Sequence, residues 1–308
     1  MKAALLESKQ NIVIRDIPEP QVNFLNNVLI KVDYCGICGS DISKYFNRNL
    51  QYPILMGHEV SGKVIKGPQY LLNKQVSIIP KIPCYECEYC KQEKYNLCQN
   101  KFTIGSKDIG AFAEYIAVPE KNVLPIELNN IKLGVLIEPL ANAFHVCSLI
   151  KNIENLNIGI VGLGNIGSLV KNVLNLYYNK QDIVCVTRET NIEELLNKCD
   201  CVIESSGKCA GLSNAINICK PEGQIIQVSI IYPEELNSDL QYDKLNRKEL
   251  NIKGSFDFNL DDWNNAYNLI KQYPNEFINI LGEEYKLQDI NQAFNVKLKS
   301  NKKLLIKL

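Results

Sequence analysis

Asn157–Leu176 reads NIGIVGLGNIGSLVKNVLNL, and this stretch decides the fold. Ile158–Val161 is a short apolar run, GLGNIG at Gly162–Gly167 is a G-x-G-x-x-G turn, and Ser168–Leu176 carries helical spacing. Glycines in this pattern permit a tight turn and the close approach of a pyrophosphate. The first N–H groups of the following helix lack intrahelical partners and are free to meet phosphate oxygens. Alone, the pattern is equally that of a plain glycine turn; at a strand-to-helix junction it is a dinucleotide fingerprint. Gly162, Gly164, Asn165, Ile166 and Gly167 are the candidate contacts.

Downstream, Ile183–Val186, Cys201–Ile203 and Gln224–Val228 read as buried strands, with helical stretches at Ile192–Asn197 and Gly211–Cys219 between them. Strands alternating with helices predict a parallel sheet of βαβ units. Upstream, from Lys2 to about Val123, the pattern is β-rich, with short runs at Asn11–Ile14, Val28–Val32, Val60–Ile65, Gln75–Ile79 and Phe112–Val118. Ile131–Ile150 has helical spacing, and the tail from Tyr273 ends in a strand-like Lys303–Leu308. The expectation is an α/β protein: a β-rich domain built from 1–143 and 273–308, and a doubly wound domain at 144–272. A chain of 308 residues is long enough for two such cores.

With 34 basic and 34 acidic residues the net charge is zero, which argues against a nucleic-acid partner. A hydrophobic share of 46% with 22% charged is globular composition. No apolar run reaches the roughly 18 residues of a membrane span, and Met1–Gln10 holds no signal-peptide core. The expected location is the cytoplasm, where 12 cysteines stay reduced and their spacing is read for metal first. With 2 histidines, any metal site leans on thiolates and carboxylates.

Cys84, Cys87, Cys90 and Cys98 form C-x2-C-x2-C-x7-C. Four thiolates so close can complete a tetrahedral shell, and a soft S4 set selects zinc or an iron–sulfur cluster. A structural zinc is the sharper reading. A second site draws on separated segments: Cys38 in CGICGSD, His58 in GHE, and the carboxylates Glu59 and Glu138, the latter in IEPL. Three protein ligands and one open position are the geometry of a catalytic zinc. Glu59 and Glu138 can alternate or share the third place, or stand beside the ligands as supporting carboxylates. In the cradle, the acid expected to grip the ribose diol about twenty residues on is replaced by Thr187, followed by Arg188. A hydroxyl and a guanidinium suit a 2′-phosphate, so NADP is favoured over NAD; Glu189 taking the diol is the alternative.

With these residues in view, the chain resembles the zinc-dependent medium-chain dehydrogenase/reductase family, and within it the polyol branch of sorbitol and galactitol-1-phosphate dehydrogenases. GICGSD, YPILMGHEVSG, the four-cysteine segment at 84–98, FTIGSKDIGAFAEYI, IEPLANAFH, VGLGNIG, VIESSG and RKELNIKGSF carry the resemblance over most of the chain. It implies a GroES-like catalytic domain, a Rossmann cofactor domain and hydride transfer between a secondary alcohol and a ketone. By position Cys38, His58, Glu59 and Glu138 match the catalytic-zinc residues, and the four clustered cysteines the structural zinc. Ser40 matches the hydroxyl beside the reacting alcohol, expected to relay its proton. Two zinc ions per chain, a polyol or polyol phosphate as substrate, and a homodimer or homotetramer follow from the same resemblance.

Two features depart from the family. Thr187 and Glu204 are 17 positions apart. The family usually spans roughly forty there, so a helix-and-strand unit of the doubly wound sheet is expected to be missing. Lys44 stands where sorbitol enzymes carry a tyrosine, with Tyr45 next; Lys44 and Arg48 can read a substrate phosphate or be solvated loop cations. Two other classes compete: a zinc-stabilised binding or regulatory protein that lost catalysis with its missing unit, and a zinc-free quinone-reductase relative. Retention of Cys38, His58, Glu59 and Glu138 argues against the first, and Cys38, His58 and the cysteine lobe argue against the second.

Overall fold

The structure, a computed structural model, describes residues 1–23, 27–47, 50–231, 241–298 and 300–308. The chain divides into two compact units, 1–138 with 267–308, and 139–266. The helices Ile137–Ser148 and Leu260–Gln272 run through the two points of division.

The first unit is organised around Val28–Gly36, whose near-continuous apolar run fits a strand covered on both faces. It pairs antiparallel with Glu59–Lys66, Tyr115–Val118 and the C-terminal strand Lys303–Lys307. The sheet runs Val123–Pro125, Gln75–Ile78, Glu59–Lys66, Val28–Gly36, Lys303–Lys307 and Leu281–Lys286. A smaller sheet of Asn11–Asp16, Lys2–Ser8 and Ile54–Leu55 lies in the same unit. Ile30, Val32, Met56, Phe112 and Phe294 belong to one buried apolar cluster. Register matters for chemistry here: Gly36 lies opposite both Glu59 and Leu305. No side chain fits at Gly36, because a Cβ there would lie 2.2 Å from Glu59 Oε2.

The second unit holds a parallel sheet in the order Ile183–Val186, Ile158–Val161, Cys199–Glu204, Cys219–Gln227 and Asn251–Gly254. A complete doubly wound sheet of the 3-2-1-4-5-6 type places one more strand beyond Ile183–Val186. Among the described residues that strand is absent, as the 17-position spacing predicts. Residues 187–198 instead cross back with a single 3-10 turn, Ile192–Leu195, in place of the helix expected at Ile192–Asn197. The connection is too short for an α-helix of useful length; Ile192 and Leu195 still pack on the apolar core. The helix Asn165–Leu176 buries Leu169, Val170, Val173 and Leu174.

Among the elements not anticipated are the edge strand Asn251–Gly254 and the helices Gly39–Phe46, Leu260–Gln272 and Ile290–Lys297. NIKG carries no burial pattern to read, since all four residues are exposed at the sheet edge. No described helix is long and apolar enough to cross a membrane.

Candidate active site

Cys38 caps the helix Gly39–Phe46, and His58 sits just before the strand Glu59–Lys66. Ligand atoms of Cys38, His58 and Glu59 all lie within 4.8 Å of one another. One sulfur, one imidazole and one carboxylate make a borderline donor set of the kind zinc takes. Asp41, wholly buried, organises them. Its Oδ2 accepts the Cys38 N–H at 3.0 Å, and its Oδ1 lies 3.6 Å from His58 Nδ1. Burial opposes a charge on the His58 ring, yet Asp41 and Cys38 outweigh it and push its pKa well up. The pocket therefore favours a cation.

Glu59, also wholly buried, has both oxygens on Lys303 Nζ, at 2.5 and 2.6 Å. Burial works against the Lys303 charge, but Glu59, Cys38 and Glu138 together more than offset it and the net shift is upward. Glu138, at the start of Ile137–Ser148, is buried and its charge acts on Lys303, but it lies outside the three-residue cluster. Ser40 is exposed in the first turn of Gly39–Phe46.

The four lobe cysteines also form one group within 4.8 Å. The Cys84 N–H donates to Cys98 Sγ at 3.3 Å, and Cys84 Sγ lies 3.5 Å from Cys98 Sγ and 3.9 Å from Cys90 Sγ. The Cys90 backbone N–H leads in lowering the Cys87 thiol to about 6, whereas burial pushes Cys90 up to about 12. Four sulfurs so close, one already inclined to ionise, fit a thiophilic metal.

In the second unit, Gly162 adopts φ +89°, and a Cβ there would lie 2.8 Å from Ser206 Cα. At Gly167 a Cβ would meet Gly162 O at 2.0 Å, so only glycine lets the helix start this close to the strand. Gly164 differs: a Cβ there would meet nothing within 4 Å, which leaves open space above the turn. Half-buried Asn165 and Ile166 follow in the first turn of the helix, and Asn165 Oδ1 is a buried atom with no partner among the described residues. Open space over a helix N-terminus fits a phosphate group, whose oxygens accept from the free N–H groups. Thr187 Oγ1 donates to Glu189 Oε2 at 3.0 Å, and Thr187 N–H to Thr190 Oγ1 at 2.9 Å. Arg188 is exposed beside them.

The alcohol dehydrogenase GroES-like domain family matches residues 25–128. Galactitol 1-phosphate 5-dehydrogenase of Escherichia coli K12 is 28% identical over 289 residues, 83% of either chain. D-Arabitol-phosphate dehydrogenase of Enterococcus avium is 27% identical over 312 residues, covering 90% of this chain and 88% of its own. The crystal structure of galactitol-1-phosphate dehydrogenase from Escherichia coli superposes with a TM-score of 0.86 at 23% identity, over 100% of both chains. Residues 25–128 thus carry the GroES-like domain of alcohol dehydrogenases, and along most of its length the chain is similar to polyol dehydrogenases of the zinc-dependent medium-chain type.

The remaining sequence candidates have mixed positions. Tyr45 is 4% exposed and its ring packs against Phe294 at 5.0 Å between centroids, so it is spent on the core and not offered to substrate. Apolar contact wins there because Tyr45 is on the inner face of its short helix. Lys44 Nζ stands 3.9 Å from Asp41 Oδ1, drawn to the carboxylate whose charge acts on His58. Arg48 lies outside the described residues. Sequence reading passed over Asp41 and Lys303. Asp41 was visible inside GICGSD, three residues after Cys38; nothing near Lys303 announced its partner, 244 positions away.

Proposed function

We propose that this dehydrogenase oxidises the secondary alcohol of a polyol or polyol phosphate reversibly, with zinc at Cys38, His58 and a glutamate, and with NADP as coenzyme. The donor cluster of Cys38, His58 and Glu59 carries the reading. A zinc ion held there would polarise the alcohol oxygen, and a bound nicotinamide would accept the hydride. The chain's own residues do the rest. Asp41 lies 3.6 Å from His58 Nδ1, too far for a hydrogen bond, and acts on the ring through its charge, close to where ligating histidines usually have a supporting carboxylate. Lys303 anchors Glu59, so this carboxylate approaches a metal with its charge already partly balanced. Glu138 is the second candidate for the third ligand. Ser40, exposed next to the cluster in sequence, is suited to pass the alcohol proton to solvent. A second zinc on Cys84, Cys87, Cys90 and Cys98 would hold the lobe, its four thiolates leaving no position for substrate.

NADP is favoured by the loop after Ile183–Val186. Glu189 is engaged by the Thr187 hydroxyl, while Arg188 presents its guanidinium to solvent, ready for a 2′-phosphate. A homodimer is supported by the exposed edge strand Asn251–Gly254, with Ile252 at 41% and the nearby Phe256 and Leu260 at 47% and 46% exposure. The cytoplasm is supported by cysteines that are all free thiols.

The test is a screen of sugar alcohols and their phosphates against NAD and NADP, following absorbance of the reduced nicotinamide, with zinc quantified on the same preparation. Zinc-dependent reduction of coenzyme by a polyol supports the reading. Fewer than one zinc per chain, or no turnover of any polyol by zinc-loaded protein, overturns it.

A further inference from the structure

The polar cluster at the carboxyl ends of the second unit's strands belongs to no step described so far. Glu204 ends the strand Cys199–Glu204 and is completely buried. It lies opposite Val161, which precedes the glycine turn, and opposite Gln227 on the next strand. Its Oε1 accepts the Ser206 N–H at 2.8 Å and the Ser206 hydroxyl. Its Oε2 accepts Gln227 Nε2 at 2.6 Å, and the Gly207 backbone also donates to the carboxylate. A buried carboxylate survives in such a place because its donors replace water.

The donors it gathers form the wall of the coenzyme cradle. Ser205 N–H and Oγ donate to Val161 O at 2.9 and 3.1 Å, and Oγ also to Gly162 O at 2.7 Å. The Ser206 backbone is what a Cβ on Gly162 would strike. The other side is equally tight: at Gly211 a Cβ would lie 2.7 Å from Glu204 Oε1. Glu204 thus holds segment 205–207 between the glycine turn and the helix Cys209–Ile218, at the sheet end where open α/β folds take their ligands.

We propose that Glu204 is a positioning residue for the nicotinamide coenzyme: it touches no reacting atom, and it fixes segment 205–207 against Gly162 so that the Gly162–Gly167 turn keeps its dinucleotide-binding shape. The inference rests on the coenzyme reading of that turn. What is required of Glu204 is a buried acceptor of the right length, with its charge secondary. Gln227 makes this separable, since its Oε1 is buried without a partner among the described residues. In Glu204→Gln the amide oxygen keeps the Ser206 and Gly207 bonds. The new NH2 group then meets Gln227, whose side-chain amide can turn to present its unused oxygen, giving up its 2.7 Å bond to Ser229 O, which lies outside segment 205–207.

The experiment titrates zinc-loaded protein with NADPH and NADH by quenching of protein fluorescence, in wild type, E204Q, E204A and E204D. Thermal melts verify folding, and polyol KM is taken at saturating coenzyme. E204A and E204D are expected to raise the better coenzyme's Kd by about tenfold or more, because backbone donors lose their acceptor. E204Q stays within about threefold of wild type. Polyol KM and zinc content are unchanged in all. If E204A does not fold, E204D decides the matter, since it keeps the carboxylate and shortens only its reach. A folded E204A or E204D that binds coenzyme as tightly as wild type, or E204Q as weak as E204A, overturns the inference and leaves the coenzyme reading intact. A wild type that binds neither coenzyme overturns both.

Discussion

Cys38 offers the one sulfur in a site otherwise built from an imidazole and a carboxylate. Replacing it with serine removes the thiolate that soft-metal binding needs, at a half-buried position that tolerates the smaller hydroxyl. Cys38→Ser is expected to lose one zinc per chain and to abolish turnover while its thermal melt stays cooperative; a wild-type rate would refute the catalytic-metal assignment. Arg188 governs a different discrimination. Arg188→Ala should raise the KM for NADPH by about tenfold or more, the scale of a lost charge-assisted hydrogen bond, and leave that for NADH unchanged. Equal effects on both coenzymes would remove the guanidinium from 2′-phosphate recognition. Lys297 is a buried lysine that no motif signalled. It donates to Lys302 O at 2.6 Å and to Ser300 O at 3.4 Å, and burial, helped by Lys303, brings its pKa down to about 8 from 10.5. Between those values the unfolded chain binds more protons than the folded one, so this group's contribution to stability rises with pH from about 8 to about 10.5. Urea midpoints of wild type and Lys297→Met at about pH 7.5 and 9.5 check the sign. Wild type should gain on the variant at the higher pH, and a constant difference would contradict it.

The lobe at 84–98 has little besides sulfur to hold it: its helix Glu88–Lys91 is four residues long, and Tyr95–Leu97 is a single 3-10 turn. Helices so short have no stability of their own. Cys98→Ser is expected to release one zinc and lower the melting temperature, with the Cys38 site still loaded, as judged by zinc analysis and polyol activity at reduced temperature. Retention of both metals would separate the lobe from zinc binding. The helix Ile137–Ser148 carries Glu138 in its first turn and His145 further on, and His145 Nδ1 lies 2.9 Å from Asp262 Oδ2. Asp262 in turn accepts the Asn259 N–H at 3.0 Å, at the start of Leu260–Gln272. The second histidine is therefore engaged in joining helix to helix, and the cluster at Cys38 holds a single imidazole beside its carboxylate. Many strands and helices with clear apolar periods were legible in advance, but Leu260–Gln272 was not, although Trp263, Ala266, Leu269 and Ile270 are buried at helical spacing. Asn251–Gly254 was not, because a fully exposed edge strand leaves no alternation in its sequence.

At the scale of the whole molecule, the exposed edge of the second unit sets the assembly expectation. Ile252→Lys places a charge on that edge, and size-exclusion chromatography with light scattering should find the wild type dimeric and the variant shifted to monomer. A monomeric wild type would end the expectation. By itself the sequence determined what depends on near neighbours: the strand–turn–helix at Ile158–Leu176, the four-cysteine spacing, and the shortened stretch between Thr187 and Glu204. Such features act over a few residues, where backbone geometry follows directly from residue type. Tertiary structure decided the partners. Lys303 reaches Glu59 only because the C-terminal strand docks beside Val28–Gly36 in a register that sets Leu305 opposite Gly36. Glu204 meets Gln227 only because two parallel strands align them. The pairing that sets Glu59 opposite Gly36 holds Glu59 on the strand next to Val28–Gly36, and Glu59, not Glu138, joins the cluster with Cys38 and His58. The physical reason is one of range. Spacing along the chain fixes local geometry, whereas which distant side chains meet is settled by strand register and the packing of the core that enforces it.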